Sequence, residues 1–145
     1  MKIFTIGFTN KKAEVFFEKL RTAGVKRVLD VRLNNISQLA GFSKKDDLKY
    51  FLHAIGGIDY VHVPELAPTK ELLETHKKFK GDWGTYEKAF LALMERRHIE
   101  SALSMDLIDE GCLLCSEDKP HHCHRRLVAE YLQRYWPQVS IEHLV

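Results

Sequence analysis

Five short apolar runs set the architecture of this chain, because each is separated from the next by a stretch whose apolar residues recur at helical spacing. The runs are KIFTIGF (Lys2 to Phe8), RVLDV (Arg27 to Val31), IDYVHV (Ile58 to Val63), GCLLC (Gly111 to Cys115) and the segment Val139 to Leu144. Their β-branched and aromatic content and their bounding Gly, Pro and polar residues read as strands. Between the first two, Ala13, Phe16, Phe17, Leu20 and Ala23 fall on one helix face that stops at Gly24, with Thr9 or Asn10 as the cap. Between the second and third, Ser43 and Asp46 resemble a capping box opening a helix that buries Leu48, Phe51, Leu52 and Ile55 and ends at Gly56 and Gly57. Pro68 and Thr69 start a third helix with a lysine-rich outer face. After a break at Gly81 to Gly84 around Trp83, a fourth runs through Tyr86, Phe90, Leu93 and Met94 toward Leu103. The last, carrying Leu127, Val128, Tyr131, Leu132 and Tyr135, begins at Cys123. Strands joined by helical connections pair in parallel. The expectation is an α/β fold: a mainly parallel five-stranded sheet with helices on both faces, a Rossmann-like three-layer sandwich in which residues 1–145 form a single domain.

Composition narrows the function classes. No apolar run is long enough to cross a bilayer, and residues 1–8 lack the apolar core of a secretory signal, so the expected location is the cytoplasm. A net charge of +2 and a pI of about 8.4 describe a mixed surface and not a dedicated nucleic-acid patch. The lysines on the third helix read as its solvated face. Three cysteines form an odd set, and a reducing compartment favours thiol chemistry or metal ligation over a disulfide framework.

In parallel α/β sheets ligands bind beyond the carboxyl ends of the strands, near the point where strand order reverses. That rule selects Gly7, Thr9 and Asn10 after the first strand, Asp30 and Arg32 after the second, His62 and Glu65 after the third, and Cys115 and Glu117 after the fourth. The loop over residues 33–42 is a possible wall or lid. Cys123, His124, Arg125 and Arg126 occupy the first turn of the last helix, where unpaired N–H groups and the helix dipole attract anions, a thiolate included.

Three chemistries fit this rim. Cys123, beside Arg125 and His124, is a candidate acidified nucleophile, with Cys115 second and Cys112 a buried hydrophobe. Cys115, Cys123 and His124 offer soft or borderline metal ligands, with His121, His122, His62 and Glu117 as further candidates, but no CxxC pair is present; no cofactor is therefore expected, with zinc as the alternative. The third chemistry is anion recognition, in which the Cys123 turn, His124, Arg125 and Arg32 hold a phosphate while Asp30 and Glu117 act on sugar, base or water. The bland alternatives are an Asp30–Arg32 pair internal to the rim, a satisfied core histidine at His62 and a Glu117 that only bonds loop N–H groups.

TIGFTN, LDVR, IDYVHVPEL and, above all, Cys115 and Glu117 followed by Cys123, His124 and Arg125 resemble the domain-of-unknown-function 488 family from end to end. Where that family often carries a Gly-Gly pair after the third strand, this chain has Ala67 and Pro68. The resemblance implies an α/β fold and a shared site without naming a reaction. A looser likeness to rhodanese-type sulfurtransferases rests on DVR after the second strand and on a cysteine ending a strand before a loop and helix. The combined reading is an enzyme-like pocket for an anionic, nucleotide-related or nucleic-acid-derived ligand. Catalytic candidates are Cys115, Glu117, Cys123 and Asp30, and binding candidates are Gly7, Thr9, Asn10, Arg32, His124 and Arg125. A thiol-dependent, sulfurtransferase-like enzyme and a non-enzymatic nucleic-acid-binding module are the alternatives.

Overall fold

The computed structural model describes residues 1–33, 41–78, 82–116 and 123–145, with the side chains of 76–78 excluded. Its strands are β1 (Lys2–Gly7), β2 (Arg27–Asp30), β3 (Asp59–His62), β4 (Gly111–Cys115) and β5 (Ser140–Leu144). The helices are α1 (Ala13–Ala23), α2 (Lys45–Gly56), α3 (Lys70–Lys78), α4 (Trp83–Arg97), α5 (Ile99–Ala102), α6 (Met105–Ile108) and α7 (His124–Tyr135), with 3₁₀ turns at Gly41–Ser43 and Pro64–Leu66. All strand pairings are parallel, and the sheet order is β3-β2-β4-β1-β5. A Rossmann order would set β1 beside β2; here β4 lies between them.

The order fixes the layers. From β1 the chain moves to β2 and β3, toward one edge of the sheet, and from β3 it returns through β4 to β5 at the other. Parallel crossovers are almost always right-handed, so connections running in opposite directions must cover opposite faces. The core divides accordingly. Phe16, Phe17 and Leu20 of α1 and Leu48 and Leu52 of α2 pack on Phe4, Ile6, Val28, Cys112 and Leu114. Phe90 and Met94 of α4 and Leu127, Val128 and Leu132 of α7 pack on Ile3, Leu29, Val31 and Leu113. These are the two sides of strands whose neighbouring residues point to opposite faces. β4, buried at every position, is the central strand.

The connections leaving β2 and β4 depart toward opposite edges, so the crevice of the topological switch opens between the ends of those two adjacent strands. Asp30 and Cys115 therefore meet at one rim.

Local chemistry departs from the sequence expectation at several ends. Thr9 and Asn10 do not cap α1, whose N-cap is Lys12, and the Ser43–Asp46 box does not form, because α2 starts one residue beyond Lys44 without a side-chain cap. Thr69 does cap α3, accepting from the Leu72 N–H at 3.1 Å. Gly24 (φ 78°) and Gly57 (φ 62°) end α1 and α2 in the left-handed region. The fourth helix stops at Arg97 instead of continuing to Leu103, since His98 turns left-handed (φ 50°) and the chain proceeds as the short α5 and α6.

Candidate active site at the carboxyl ends of β2 and β4

Cys115 is the last residue of β4, in register with Gly7 of β1, and Cys123 is the N-cap of α7 with extended backbone (φ −139°, ψ 139°). These positions converge. The Cys115 and Cys123 sulfurs are joined in a disulfide whose Cα atoms are 7.5 Å apart. The expectation of two free thiols is thereby corrected: strand end and helix start face one another, so residues eight apart in sequence meet sulfur to sulfur. Neither is a nucleophile in this oxidised form. Cys112 is free and fully buried in the opposite layer, and burial pushes its thiol well above the ordinary range, only partly offset by the charge of Arg125. It behaves as the small hydrophobe that its strand position suggested.

His124 opens α7 beside the sulfurs. Its Nε2–H donates to the Val31 carbonyl at 2.8 Å, and its ring lies 5.5 Å from that of Phe90. Desolvation lowers its pKa to about 4, with the Arg125 charge acting the same way and the Val31 hydrogen bond and Asp30 opposing. The ring is neutral near pH 7, and Nδ1 keeps its lone pair. Arg125 is fully buried, and its Nη1 donates to Cys115 Sγ at 3.4 Å. It faces the sulfur pair from within the core, not the solvent.

A second cluster forms across the rim, on the α1 and α2 side. Asp30, fully buried, accepts from the Arg32 backbone N–H (3.1 Å) and Nε (2.8 Å) at Oδ1, and from Arg32 Nη2 (2.8 Å) and the Tyr60 hydroxyl (2.5 Å) at Oδ2. This is the bidentate fork of guanidinium on carboxylate. The guanidinium also stacks 5.4 Å over the Phe8 ring. Its remaining nitrogen, Nη1, is buried and has no hydrogen-bond partner among the described residues. His62, in register with Asp30, donates from Nε2 to the Arg32 carbonyl at 3.1 Å, a structural bond of the kind foreseen for it.

The two clusters share a backbone. Val31 O accepts from His124, the Val31 N–H donates to Leu114 O, and Arg32 O accepts from His62. On the β1 side, the Thr9 N–H and Oγ1 both donate to Ser116 O, at 3.1 and 2.5 Å. Thr9 thus fastens one rim loop to the next, while Asn10 supplies the left-handed turn (φ 61°) and remains exposed. Gly7 lies buried beside Cys115 without a side chain to offer. Glu65 is exposed, and its carbonyl accepts from Arg97 Nη1 at 2.7 Å. Glu117, His121, His122 and most of the expected lid, residues 34–40, lie outside the described residues.

Sequence reasoning missed three side chains of the rim. Tyr60 was visible only as a neighbour of His62; its contact with Asp30 follows from the β2–β3 register, which the sequence does not contain. Phe8 and Phe90 were assigned to strand and core without their roles against Arg32 and His124. Two grooves lie elsewhere: an open one of about 850 Å³ between α1 and β5, and one of about 330 Å³ lined by Phe17, Phe42, Phe51 and Ile55. Neither includes a rim residue named above.

A family model described as a domain of unknown function, DUF488, matches residues 12–132 of the 145. The chain belongs to the DUF488 family. The DUF488 match contains Asp30, Arg32, Tyr60, Cys115, Cys123, His124 and Arg125, but leaves Gly7, Thr9 and Asn10 outside it, together with β1 and β5. No curated protein and no solved structure matches the chain. Among the described residues, no helix of this DUF488 protein is long and apolar enough to cross a membrane.

Proposed function

We propose that this DUF488 protein is a thiol-dependent enzyme whose reactive centre is the Cys115–Cys123 pair, set beside a crevice for an anionic, nucleotide-related or nucleic-acid-derived ligand. The observation that carries the reading is the meeting of two cysteines from different elements, one accepting a guanidinium hydrogen bond and the other starting a helix. Both environments favour a thiolate: Arg125 by its charge, and the first turn of α7 by the positive end of its helix dipole. Cys123 is 4% exposed against 1% for Cys115, so it is assigned the attacking role. In the reduced protein the Cys123 thiolate attacks one sulfur of a substrate disulfide and expels the other as thiolate. Cys115, stabilised by Arg125, then attacks Cys123 Sγ, releases the bound half as thiolate and closes the Cys115–Cys123 disulfide. The substrate gains two electrons and the pair loses two.

Reduction of one equivalent of a chromogenic aromatic disulfide by the reduced full chain, with two thiolates released per pair oxidised, tests this. Cys123→Ser abolishes thiolate release, whereas Cys115→Ser releases one thiolate and stops at a mixed disulfide visible by mass spectrometry. Equal activity in wild type and Cys123→Ser contradicts the reading.

The anionic ligand rests on a separate observation, the buried Arg32 Nη1 without an acceptor among the described residues, since native proteins rarely leave such a group unpaired. Arg32, not the enclosed Arg125, then takes the leading part in anion binding. Nucleoside monophosphates raise the melting temperature of wild type in a concentration-dependent way and fail to raise that of Arg32→Lys, whose point charge lacks the fork. A flat response in wild type removes this part of the proposal. Salt-sensitive binding of generic DNA or RNA that survives Arg125→Ala and Arg32→Lys favours the nucleic-acid-binding module instead.

A further inference from the structure

We infer that, once the Cys115–Cys123 bond is reduced, the two sulfurs and Nδ1 of His124 form a three-ligand site for a borderline or soft divalent cation, of which zinc is the best fit.

The three side chains are already gathered: the two sulfurs and one ring nitrogen of His124 lie within 4.8 Å of one another, so a small rotation of the ring suffices to bring Nδ1 to the pair. The histidine is prepared in the manner of a metal ligand. A carbonyl can only accept, so the 2.8 Å contact to Val31 O fixes the proton on Nε2 and leaves Nδ1 as the donor atom. Metal-bound histidines usually orient themselves by such a bond to a carbonyl or carboxylate. Phe90 packs on the ring and limits its rotation. The backbone spacing is suitable as well. A Cα separation of 7.5 Å is wider than the usual disulfide range of about 4.4–6.8 Å, and sulfurs that share a zinc at about 2.3 Å stand nearly 4 Å apart. The thiolates can therefore part to chelating distance while the strand end and helix start stay in place.

Charge points the same way. Two thiolates and a divalent cation are neutral together with an uncharged imidazole, so the buried site carries no net charge of its own, and the Arg125 Nη1–H donates to Cys115 as N–H groups commonly do to bound thiolates. Among the described residues three ligands are gathered, which occupy three positions of the tetrahedral set that zinc takes. The steps balance. An external dithiol gives two electrons and two protons to the S–S bond, which breaks to two thiols as the dithiol becomes a disulfide, and the cation then displaces both thiol protons into solvent.

Cobalt(II) titration of the full chain tests the inference, because cobalt bound by thiolate shows a charge-transfer absorption that cobalt bound by nitrogen or oxygen lacks. The phosphine-reduced protein, freed of reductant, is expected to take up a single equivalent with that band, and the oxidised protein to show none. The band persists in Cys112→Ala and disappears in Cys123→Ser, and His124→Ala weakens binding at least about tenfold. No thiolate band in reduced wild type, equal uptake by the oxidised form, or unchanged affinity in a folded His124→Ala each overturns it. The redox comparison uses only wild type, so a variant that fails to fold leaves the test intact. A pair that binds cobalt but does not turn over disulfides removes the thiol-transfer proposal and leaves this site standing.

Discussion

Asp30→Ala isolates the charge balance of the rim. Asp30 has no exposed surface and Arg32 retains 3%, so truncating the carboxylate leaves a buried guanidinium that loses its Nε and Nη2 bonds, at 2.8 Å each. Removing one partner of a buried pair costs about 3–5 kcal/mol, and the lost acceptor of the Tyr60 hydroxyl adds about 1 kcal/mol. That sum approaches the whole stability of an ordinary domain, about 5–15 kcal/mol. The double variant Asp30→Ala/Arg32→Met should recover at least about 2 kcal/mol, because an apolar replacement of both partners removes the desolvated charge as well. Equilibrium urea unfolding followed by circular dichroism measures each term, with the m-value checking that the unfolded reference is unchanged. A single variant within about 1 kcal/mol of wild type, or a double variant no better than the single one, refutes the buried-pair reasoning.

Two further outcomes follow from the same geometry. Gly111→Ala places a Cβ 2.8 Å from Leu29 Cδ1 and 2.9 Å from the Ile108 carbonyl, and the backbone atom cannot yield as a side chain can. A loss of about 1–3 kcal/mol in urea unfolding is expected, and a neutral result would show that the start of β4 has room. His124 makes the oxidised protein sensitive to acid. Its folded pKa of about 4 lies below the ordinary 6.5, so between those values the unfolded chain binds the extra proton; stability is complete above pH 6.5 and falls toward pH 4, by at most about 3 kcal/mol for this half-buried ring. The difference in stability between wild type and His124→Gln, measured across that window, should shrink as pH falls, and a difference independent of pH contradicts the assignment.

The α/β class was legible because each strand is a short apolar run and each connection has helical period, with GCLLC read as the fourth strand. Strand order was not, since no residue in β4 announces that it lies between β2 and β1. The rim was legible through the rule that ligands gather at strand carboxyl ends, which selected Asp30, Arg32 and Cys115 together. What the sequence left undecided were pairings made by register and convergence. Asp30 and Arg32 lie two apart on one side of a strand, so their ion pair stood as an alternative to ligand binding, and three-dimensional packing makes the pair while leaving one nitrogen without a partner among the described residues. The first turn of α7 was read as a place to acidify Cys123, but the partner of that sulfur was hidden, because the distance from strand end to helix start depends on how α7 crosses β4. Capping failed where tertiary contacts won: Thr9 bonds Ser116 instead of its own helix.

The most direct measurement is alkylation of the three thiols, read residue by residue by mass spectrometry, before and after reduction and across pH. A reactive Cys115–Cys123 pair gives native protein in which both are protected as one cross-linked peptide while Cys112 stays unmodified until unfolding. After reduction and chelation of metal, Cys123 should alkylate with an apparent pKa well below the ordinary thiol value of about 8.5, and Cys112 should remain silent. A cross-link to Cys112, or a Cys123 that reacts only when the chain is unfolded, contradicts the central claim.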